Sequence, residues 1–122
     1  MIGDFTTINF AQITLHETGE IQIGRDCMLS GGIIMDVSDM HSIIDTRSKK
    51  RINPPGNIVL GSHVWLAHGV QVTKGVEIGS GSIVGAKSLV TKDVDENTLV
   101  AGVPAKKIKS GITWDRKLLP LN

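Results

Sequence analysis

The sequence is poor in aromatic residues and cysteine, and it holds no long apolar run. Its 122 residues include two Trp, two Phe and no Tyr, which excludes a large aromatic core and a base-stacking surface for nucleic acid. Cys27 is the single cysteine, so no disulfide forms within the chain. No segment approaches the ~20 apolar residues of a membrane-spanning helix, and the first residues lack the basic and apolar regions of a signal peptide. These absences predict a cytoplasmic protein.

An excess of charge of one sign is also lacking. There are 13 basic and 12 acidic residues, and this balance disfavours nucleic acid or an anionic membrane as the main partner. Leucine (9) and alanine (5) are scarce, whereas isoleucine and valine together number 26. β-Branched side chains fit strands better than helices, so we expect one domain built mainly from strands.

A six-residue repeat runs through the second half of the chain. Every sixth residue is aliphatic in the row Leu60, Leu66, Val72, Ile78, Val84 and Val90. For this composition such a row arises by chance about six times in ten thousand. The next row is small throughout: Gly61, Ala67, Thr73, Gly79, Gly85 and Thr91. A third row is small or β-branched: Val64, Val70, Val76, Ser82, Ser88 and Val94. These rows predict coils of about 18 residues, stacked as parallel strands about 4.8 Å apart, with the aliphatic row inside.

The repeat continues upstream less regularly and is interrupted twice. Ile23, Leu29 and Met35 follow the same six-residue spacing, but a longer corner around 16–20 and a loop over 41–57 break the period. The loop is rich in Lys and Arg between residues 47 and 51, which reach a neighbouring subunit or an acidic acceptor, or keep the loop soluble. The sequence thus predicts a repeat domain over 1–103, with the excursion 41–57, and a C-terminal tail over 104–122 that caps the last coil.

Further segments carry a resemblance to a known family. In chain order they are 38–43 (SDMHSI), 51–54 (RINP), 58–65 (IVLGSHVW), 85–88 (GAKS), 90–93 (VTKD) and 101–106 (AGVPAK). With the repeat, they make residues 20–114 resemble the hexapeptide-repeat acyltransferases, in particular the sugar O-acetyltransferases of the maltose/galactoside group and of capsule and O-antigen synthesis. The resemblance implies an all-β, left-handed parallel β-helix of about five coils. It also implies acetyl-CoA as cosubstrate and a homotrimer with active sites between subunits.

His41 is the candidate general base. It lies where the repeat breaks, so its ring is expected to face a cleft. Acyl transfer from a thioester to a hydroxyl needs a base, and imidazole titrates near neutral pH. The resemblance also puts the catalytic base at His41. Asp39 is expected on the same face, where it orients the imidazole, binds an acceptor hydroxyl or is simply a solvated carboxylate.

The candidate donor site is formed by one tryptophan, small residues and lysines. Trp65 occupies an outward strand position, and an exposed indole there needs a ligand or another subunit as partner. The resemblance places Trp65 beside the acetyl and pantetheine arm, the backbone N–H of His68 on the thioester oxygen, and Ala86 on the pantetheine arm. Ala67 lets a thin ligand lie against the wall, although coil corners need small residues anyway. Candidates for the CoA phosphates are Thr91, Lys92, Lys106 and Lys109; the lysines otherwise form a solvated face.

Two alternatives stay open at this point. His63 and His68 resemble the metal-binding pair of the γ-class carbonic anhydrases, but the expected third ligand position holds Cys27, an inward residue. We therefore expect no metal. The chain enters the repeat at Ile2, without the N-terminal helical segment or extra coils of many family members, so a non-catalytic docking module is the second alternative. The expected acceptor is a sugar or glycan hydroxyl, with an amino-sugar nitrogen left open.

Overall fold

The chain folds into strands, turns and corners without any helix. The computed structural model describes residues 1–122. Its strands are β1 (Thr7–Ile8), β2 (Ala11–Thr14), β3 (Ile21–Ile23), β4 (Met28–Leu29), β5 (Ile33–Asp36), β6 (Ile58–Leu60), β7 (Trp65–Leu66), β8 (Gln71–Val72), β9 (Glu77–Ile78), β10 (Ile83–Val84), β11 (Leu89–Val90), β12 (Thr98–Gly102) and β13 (Ala105–Ser110). The structure therefore offers no helix that could cross a membrane. The predicted all-β class is confirmed.

The strands form the three walls of a prism. Wall A is the sheet β3-β6-β9, wall B is β1-β4-β7-β10-β12-β13, and wall C is β2-β5-β8-β11. From β3 to β11 the chain visits walls A, B and C in turn; Val94 then bridges to Ile78 on wall A before β12 and β13 both join wall B. Every strand pairing is parallel except that of β12 with β13. This winding is the predicted parallel β-helix.

The strand register shows that the coils differ in length but stay in phase. Trp65 pairs with Ile83, which is the spacing that three six-residue repeats predict. Met28 pairs with Trp65 across the excursion between β5 and β6, so that coil is much longer than the others. Ile83 pairs with Leu99, which makes the last coil slightly shorter. Side chains therefore keep their inward or outward direction across both the insertion and the shortened last coil.

The inward rows form one continuous core. All six residues of the aliphatic row from Leu60 are buried, and they belong to a cluster of 19 buried apolar residues. Cys27 is fully buried in the same cluster, as predicted, and burial raises the pKa of its thiol. Ser82 and Ser88 are also buried, and both hydroxyls are hydrogen-bonded to backbone groups of the last coil. The rows read from the sequence are thus the filling of the prism.

The small row is required where successive coils touch. A Cβ added to Gly24 would overlap the backbone carbonyl of Gly61 in the next coil, and one on Gly61 would lie 2.5 Å from the Ser80 hydroxyl. These positions lie on one corner of the prism, between walls A and B. Any side chain there would push the coils apart and lengthen their parallel hydrogen bonds.

The C-terminal segment 104–122 contains more structure than a polar tail. Its strand β13 pairs antiparallel with β12 and covers the last edge of wall B. Residues 111–117, which we call the strap, then run along the corner between walls A and B. The N–H of Ile112 donates to the carbonyl of Asn97, and Arg116 reaches the carbonyl of Cys27 in an early coil. The strap therefore spans the height of the prism.

Candidate active site

The excursion presents His41 from a fixed base. Asn53 is buried, and its Nδ2 donates to the His41 carbonyl oxygen (2.8 Å) and to Asp39 Oδ2 (2.9 Å). Its Oδ1 accepts from the backbone N–H of Ile43 (2.8 Å). The backbone on both sides of His41 is thus held, while its side chain is exposed and its ring makes no hydrogen bond within the chain. Such a ring is free to meet a substrate.

Asp39 lies beside His41 in sequence but is bonded elsewhere. Its carboxylate pairs with Lys74 Nζ at 2.8 Å and accepts from Asn53. Both contacts lower the pKa of Asp39, the hydrogen bond from Lys74 most strongly. The carboxylate makes no hydrogen bond to the His41 ring. In this chain Asp39 ties the base of the excursion to the next coil.

A second ion pair, between Glu17 and Arg51, braces the excursion from the coil below. Arg51 donates to both carboxylate oxygens of Glu17, at 2.6 and 2.7 Å, and its Nε donates to Asn53 Oδ1. The two hydrogen bonds from Arg51 to Glu17, together with one from Ser38, lower the pKa of Glu17 to about 2. Glu17 and Arg51 are far apart in the chain, so sequence spacing carried no signal of this pair.

We expect acid to release this brace. The folded-state pKa of Glu17, about 2, lies below the ordinary 4.5, so its stabilising effect is complete above pH 4.5. The effect is lost as pH falls from 4.5 towards 2. In melting curves over this range, the wild-type protein should lose more stability than Glu17→Gln, which has no carboxylate to titrate there. Equal losses in both proteins would contradict this role of the pair.

Wall B gathers four of the predicted donor-site residues. The register β7-β10-β12-β13 aligns Trp65, Ile83, Leu99 and Lys109 in one outward column. The neighbouring column runs through Ala67, Gly85 and Ala101 to Lys106. The wall therefore carries a trough of small residues, with the indole of Trp65 at its side and two exposed lysines at its end.

His68 and Ala86 stand on the corner where wall B turns into wall C. The carbonyl of His68 accepts from the N–H of Lys87 (2.8 Å), which fixes the corner of one coil on the next. The backbone N–H groups of His68 and Ala86 have no acceptor within the chain. They are available as donors to a bound molecule. We call these two corner residues and the trough together the donor wall.

Thr91 and Lys92 do not join the donor wall. They follow β11 on the corner between walls C and A, the same corner from which the excursion with His41 leaves after β5. Both residues are exposed. We call this corner, with Asp39, His41, Thr91 and Lys92, the base edge. The base edge and the donor wall lie on different faces of one prism.

His63, one of the two histidines that resemble a metal-binding pair, has both ring nitrogens engaged within the chain. His63 Nδ1 lies 2.8 Å from Asp26 Oδ2, and His63 Nε2 lies 2.8 Å from the Trp114 carbonyl oxygen, so neither nitrogen is free for a metal. The structure contains no cluster of three or more His, Cys, Asp or Glu side chains that would hold a metal ion.

Trp65 has a partner within its own chain, which sequence reasoning missed. Its ring is half-buried against Trp114, with centroids 6.1 Å apart and planes at 54°. Trp114 is itself buried and stacks on His63 at 3.9 Å. The expectation that Trp65 needs a ligand or another subunit left this contact out because Trp114 comes late in the chain, beyond the repeat.

The fold and the site define a parallel β-helix protein with an exposed histidine on an excursion and a small-residue trough on one wall. Residues 57–92 match the family described as bacterial transferase hexapeptide (six repeats). The segment is a hexapeptide-repeat segment, and the resemblance to the hexapeptide-repeat acyltransferases is confirmed.

The chain is similar to several known acetyltransferases. A polysialic acid O-acetyltransferase of Escherichia coli O1:K1 / APEC is 46% identical over 116 residues, which is 95% of this chain and 38% of that protein. The crystal structure of the polySia-specific acetyltransferase NeuO has a TM-score of 0.90 at 44% identity, over 96% of this chain and 54% of that one. An acetyltransferase of Vibrio cholerae O1 biovar eltor complexed with acetyl coenzyme A has a TM-score of 0.74 at 30% identity, over 89% of this chain and 58% of that one. The chain thus spans about half or less of the first two proteins.

Proposed function

We propose that this protein transfers an acetyl group from acetyl-CoA to a hydroxyl of a sugar or glycan. The observation that carries the proposal is the free ring of His41. Its backbone is held by Asn53 at the base of the excursion, in a chain similar to a polysialic acid O-acetyltransferase. The trough on the donor wall supports acetyl-CoA as donor, because a similar fold is known in complex with that molecule. Cys27 is buried, so no covalent acyl-enzyme is invoked.

In the proposed step, the acceptor hydroxyl attacks the acetyl thioester directly. His41 accepts the hydroxyl proton as the C–O bond forms. The negative charge on the carbonyl oxygen is stabilised by the free N–H of His68. The C–S bond then breaks, and CoA leaves as a thiol after taking up the proton. Ala86 contacts the pantetheine arm, and Lys106 and Lys109 meet the CoA phosphates by charge.

The separation of the base edge from the donor wall supports a site shared between subunits. One chain cannot place His41 and Trp65 around the same acetyl group, since they lie on different faces of the prism. A homotrimer of parallel prisms brings the base edge of one subunit to the donor wall of its neighbour, and its three-fold symmetry repeats that contact three times. The exposed apolar residues of the excursion, including Ile43 and Ile52, fit burial against that neighbour. Thr91 and Lys92 then face the donor bound on the neighbouring wall.

We further propose an acidic glycan as acceptor. Arg47, Lys49 and Lys50 stand at the tip of the excursion, exposed and without an acidic partner, whereas Arg51 is neutralised by Glu17. Three free cations on the same excursion as the proposed base attract a polyanion, and the E. coli relative is named for a polymer of that kind. The donor and the single buried thiol fit a reaction in the cytoplasm.

An acetyl-CoA consumption screen tests this function. Release of CoA thiol is followed with polysialic acid, a neutral oligosaccharide and an amino sugar as acceptors, each against acetyl-CoA alone. We expect turnover with the acidic polymer well above the rate without acceptor. Equal turnover with the neutral oligosaccharide would remove the proposed acid preference, and turnover with the amino sugar alone would indicate N-acetylation. No turnover, together with no binding of millimolar acetyl-CoA in calorimetry, would favour the docking module.

A further inference from the structure

The strap is fastened to the prism around His63. Trp114 stacks on the imidazole with the two planes 5° apart, and Trp114 Nε1 donates to the carbonyl oxygen of His63 at 2.8 Å. Arg116 donates to Thr7 Oγ1 and to the carbonyl oxygen of Cys27, at 2.9 and 3.0 Å. The indole and the imidazole thus lock together two segments that are distant in sequence.

The hydrogen bonds of His63 require both ring nitrogens to donate. Nδ1 faces the Asp26 carboxylate and Nε2 faces the backbone carbonyl of Trp114, both at 2.8 Å. A carboxylate and a carbonyl are acceptors only, and a neutral imidazole carries a single N–H. The doubly protonated ring satisfies both partners, whereas the neutral ring leaves a lone pair facing an acceptor. Loss of one proton therefore weakens the fastening of the strap.

Two charged groups face this ring. Asp26 comes from the coil below, and Arg116 comes from the strap and donates to the other oxygen of Asp26 at 3.2 Å. The guanidinium also lies 5.5 Å from the Trp114 ring. Hydrogen bonds from His63, first, and then from Arg116 lower the pKa of Asp26, so this carboxylate stays charged at neutral pH.

The strap also determines how Trp65 is held. The Trp65 Nε1 atom is buried and has no hydrogen-bond partner, so no polar contact fixes the orientation of the ring. Its outer surface rests on Trp114 instead. An indole held only by packing follows its packing partner. Movement of Trp114 therefore changes the position of Trp65 on the donor wall.

We propose that Trp114 is a positioning residue for the acetyl-CoA site: it sets the ring of Trp65, and His63 holds it there while both imidazole nitrogens carry a proton. This inference rests on the proposed function only for the role of Trp65 at the donor. The fastening of the strap by His63 is independent of any activity. The donor site is accordingly best ordered while both imidazole nitrogens carry a proton, and it loosens when one of them is lost.

The fastening is tested by fluorescence, because the chain has two tryptophans. In the Trp65→Phe protein, Trp114 is the single emitter. We expect its emission to move to longer wavelength in one step as the pH is raised, because a ring that has lost one proton releases the indole from its stack into water. The same protein with His63→Asn, which keeps one donor but does not titrate, should show no such step. A step of equal size in both proteins would overturn the role of His63.

Kinetics test the positioning role. In Trp114→Ala the KM for acetyl-CoA should rise at least about fivefold, with kcat changed less, and Trp114→Phe should lie between it and the wild type. The wild-type KM should rise with pH over the fluorescence step, and His63→Asn should remove that rise. If Trp114→Ala does not fold, the KM values of Trp114→Phe and His63→Asn still test the positioning role. If the wild type is active, a KM that is the same in Trp114→Ala and that does not vary with pH in the wild type would contradict the positioning role. An inactive wild type would instead contradict the proposed function.

Discussion

Replacing His41 by alanine should lower kcat by at least about 100-fold and leave the affinity for acetyl-CoA nearly unchanged. A positioned general base contributes about 10²–10⁴-fold to such a step. The other histidine on this corner, His16, lies one coil below His41, and its Nδ1 is paired with Asp36 Oδ2 at 2.6 Å. In the proposed site the donor binds on the donor wall, a different face from the one that carries His41, so we expect its affinity not to depend on this ring. Steady-state thiol release and calorimetry with acetyl-CoA measure the two quantities separately.

The matched control is His16→Ala. His16 is an exposed histidine on the same corner as His41 but one coil below it, and its ring is paired with Asp36, so its removal should leave kcat within about twofold of the wild type. Full activity in His41→Ala would show that another group accepts the proton. A fall in acetyl-CoA affinity as large as the fall in kcat would show that His41 binds the donor.

Mixing His41→Ala with Trp65→Ala tests the shared site, at an acetyl-CoA concentration at which each variant alone shows little activity. His41→Ala keeps an intact donor wall, and Trp65→Ala keeps an intact base edge. In a mixed trimer, one interface in three combines the intact parts of both, so the mixture should recover up to about one third of the wild-type activity. Mixing without recovery, when mass measurement shows mixed trimers, would place the whole site within one chain.

Leu66→Ala should destabilise the protein by about 2–5 kcal/mol. Leu66 is fully buried at the centre of the aliphatic row, with strands above and below it, so the coil cannot collapse into the space left behind. Denaturant unfolding followed by tryptophan fluorescence gives the free energy of unfolding. Because the proposed trimer would unfold with a concentration-dependent midpoint, both proteins are compared at one protein concentration.

Leu89→Ala is the control for this substitution. Leu89 is in a strand of the same length on wall C but points outward, next to buried Val90. The same change there should cost less than about 1 kcal/mol in the isolated prism. Equal losses at Leu66 and Leu89 would contradict the inward and outward assignment of the rows, or would show that wall C is buried against another subunit. Mass measurement of both variants separates these two cases.

Much of the fold could be predicted because the repeat is local. The direction of each side chain, inward or outward, depends on its place within the hexapeptide, and the burial of Leu60, Val72 and Val84 follows from that alone. The position of His41 was also accessible, since a break in the period marks where the chain leaves the coil. The chemistry of one imidazole at such a break then suggested a base.

The contacts that organise the site could not be predicted in the same way. Glu17 meets Arg51, and Asn53 joins the two ends of the excursion, only because the coils stack with a particular register. That register depends on the lengths of both insertions, which shift all later coils together. A pairing between two positions so distant in the chain has no period of its own, so no row in the sequence shows it.

The strap is the clearest case. The tail sequence, with Trp114 and Arg116 among polar residues, predicts a cap and nothing more definite. Only the tertiary structure places Trp114 between His63 and Trp65, since this requires β13 to reverse the chain before residues 111–117 can run along the corner.

By itself, then, the sequence determined the repeat, the rows that fill the prism, the break that presents His41 and the small residues of the donor wall. The tertiary structure alone decided that the base edge and the donor wall lie on different faces, and that Trp65 rests on the strap. The physical reason is that burial within a coil is set by neighbouring residues, whereas the face on which a residue lies depends on the summed length of every coil and insertion before it.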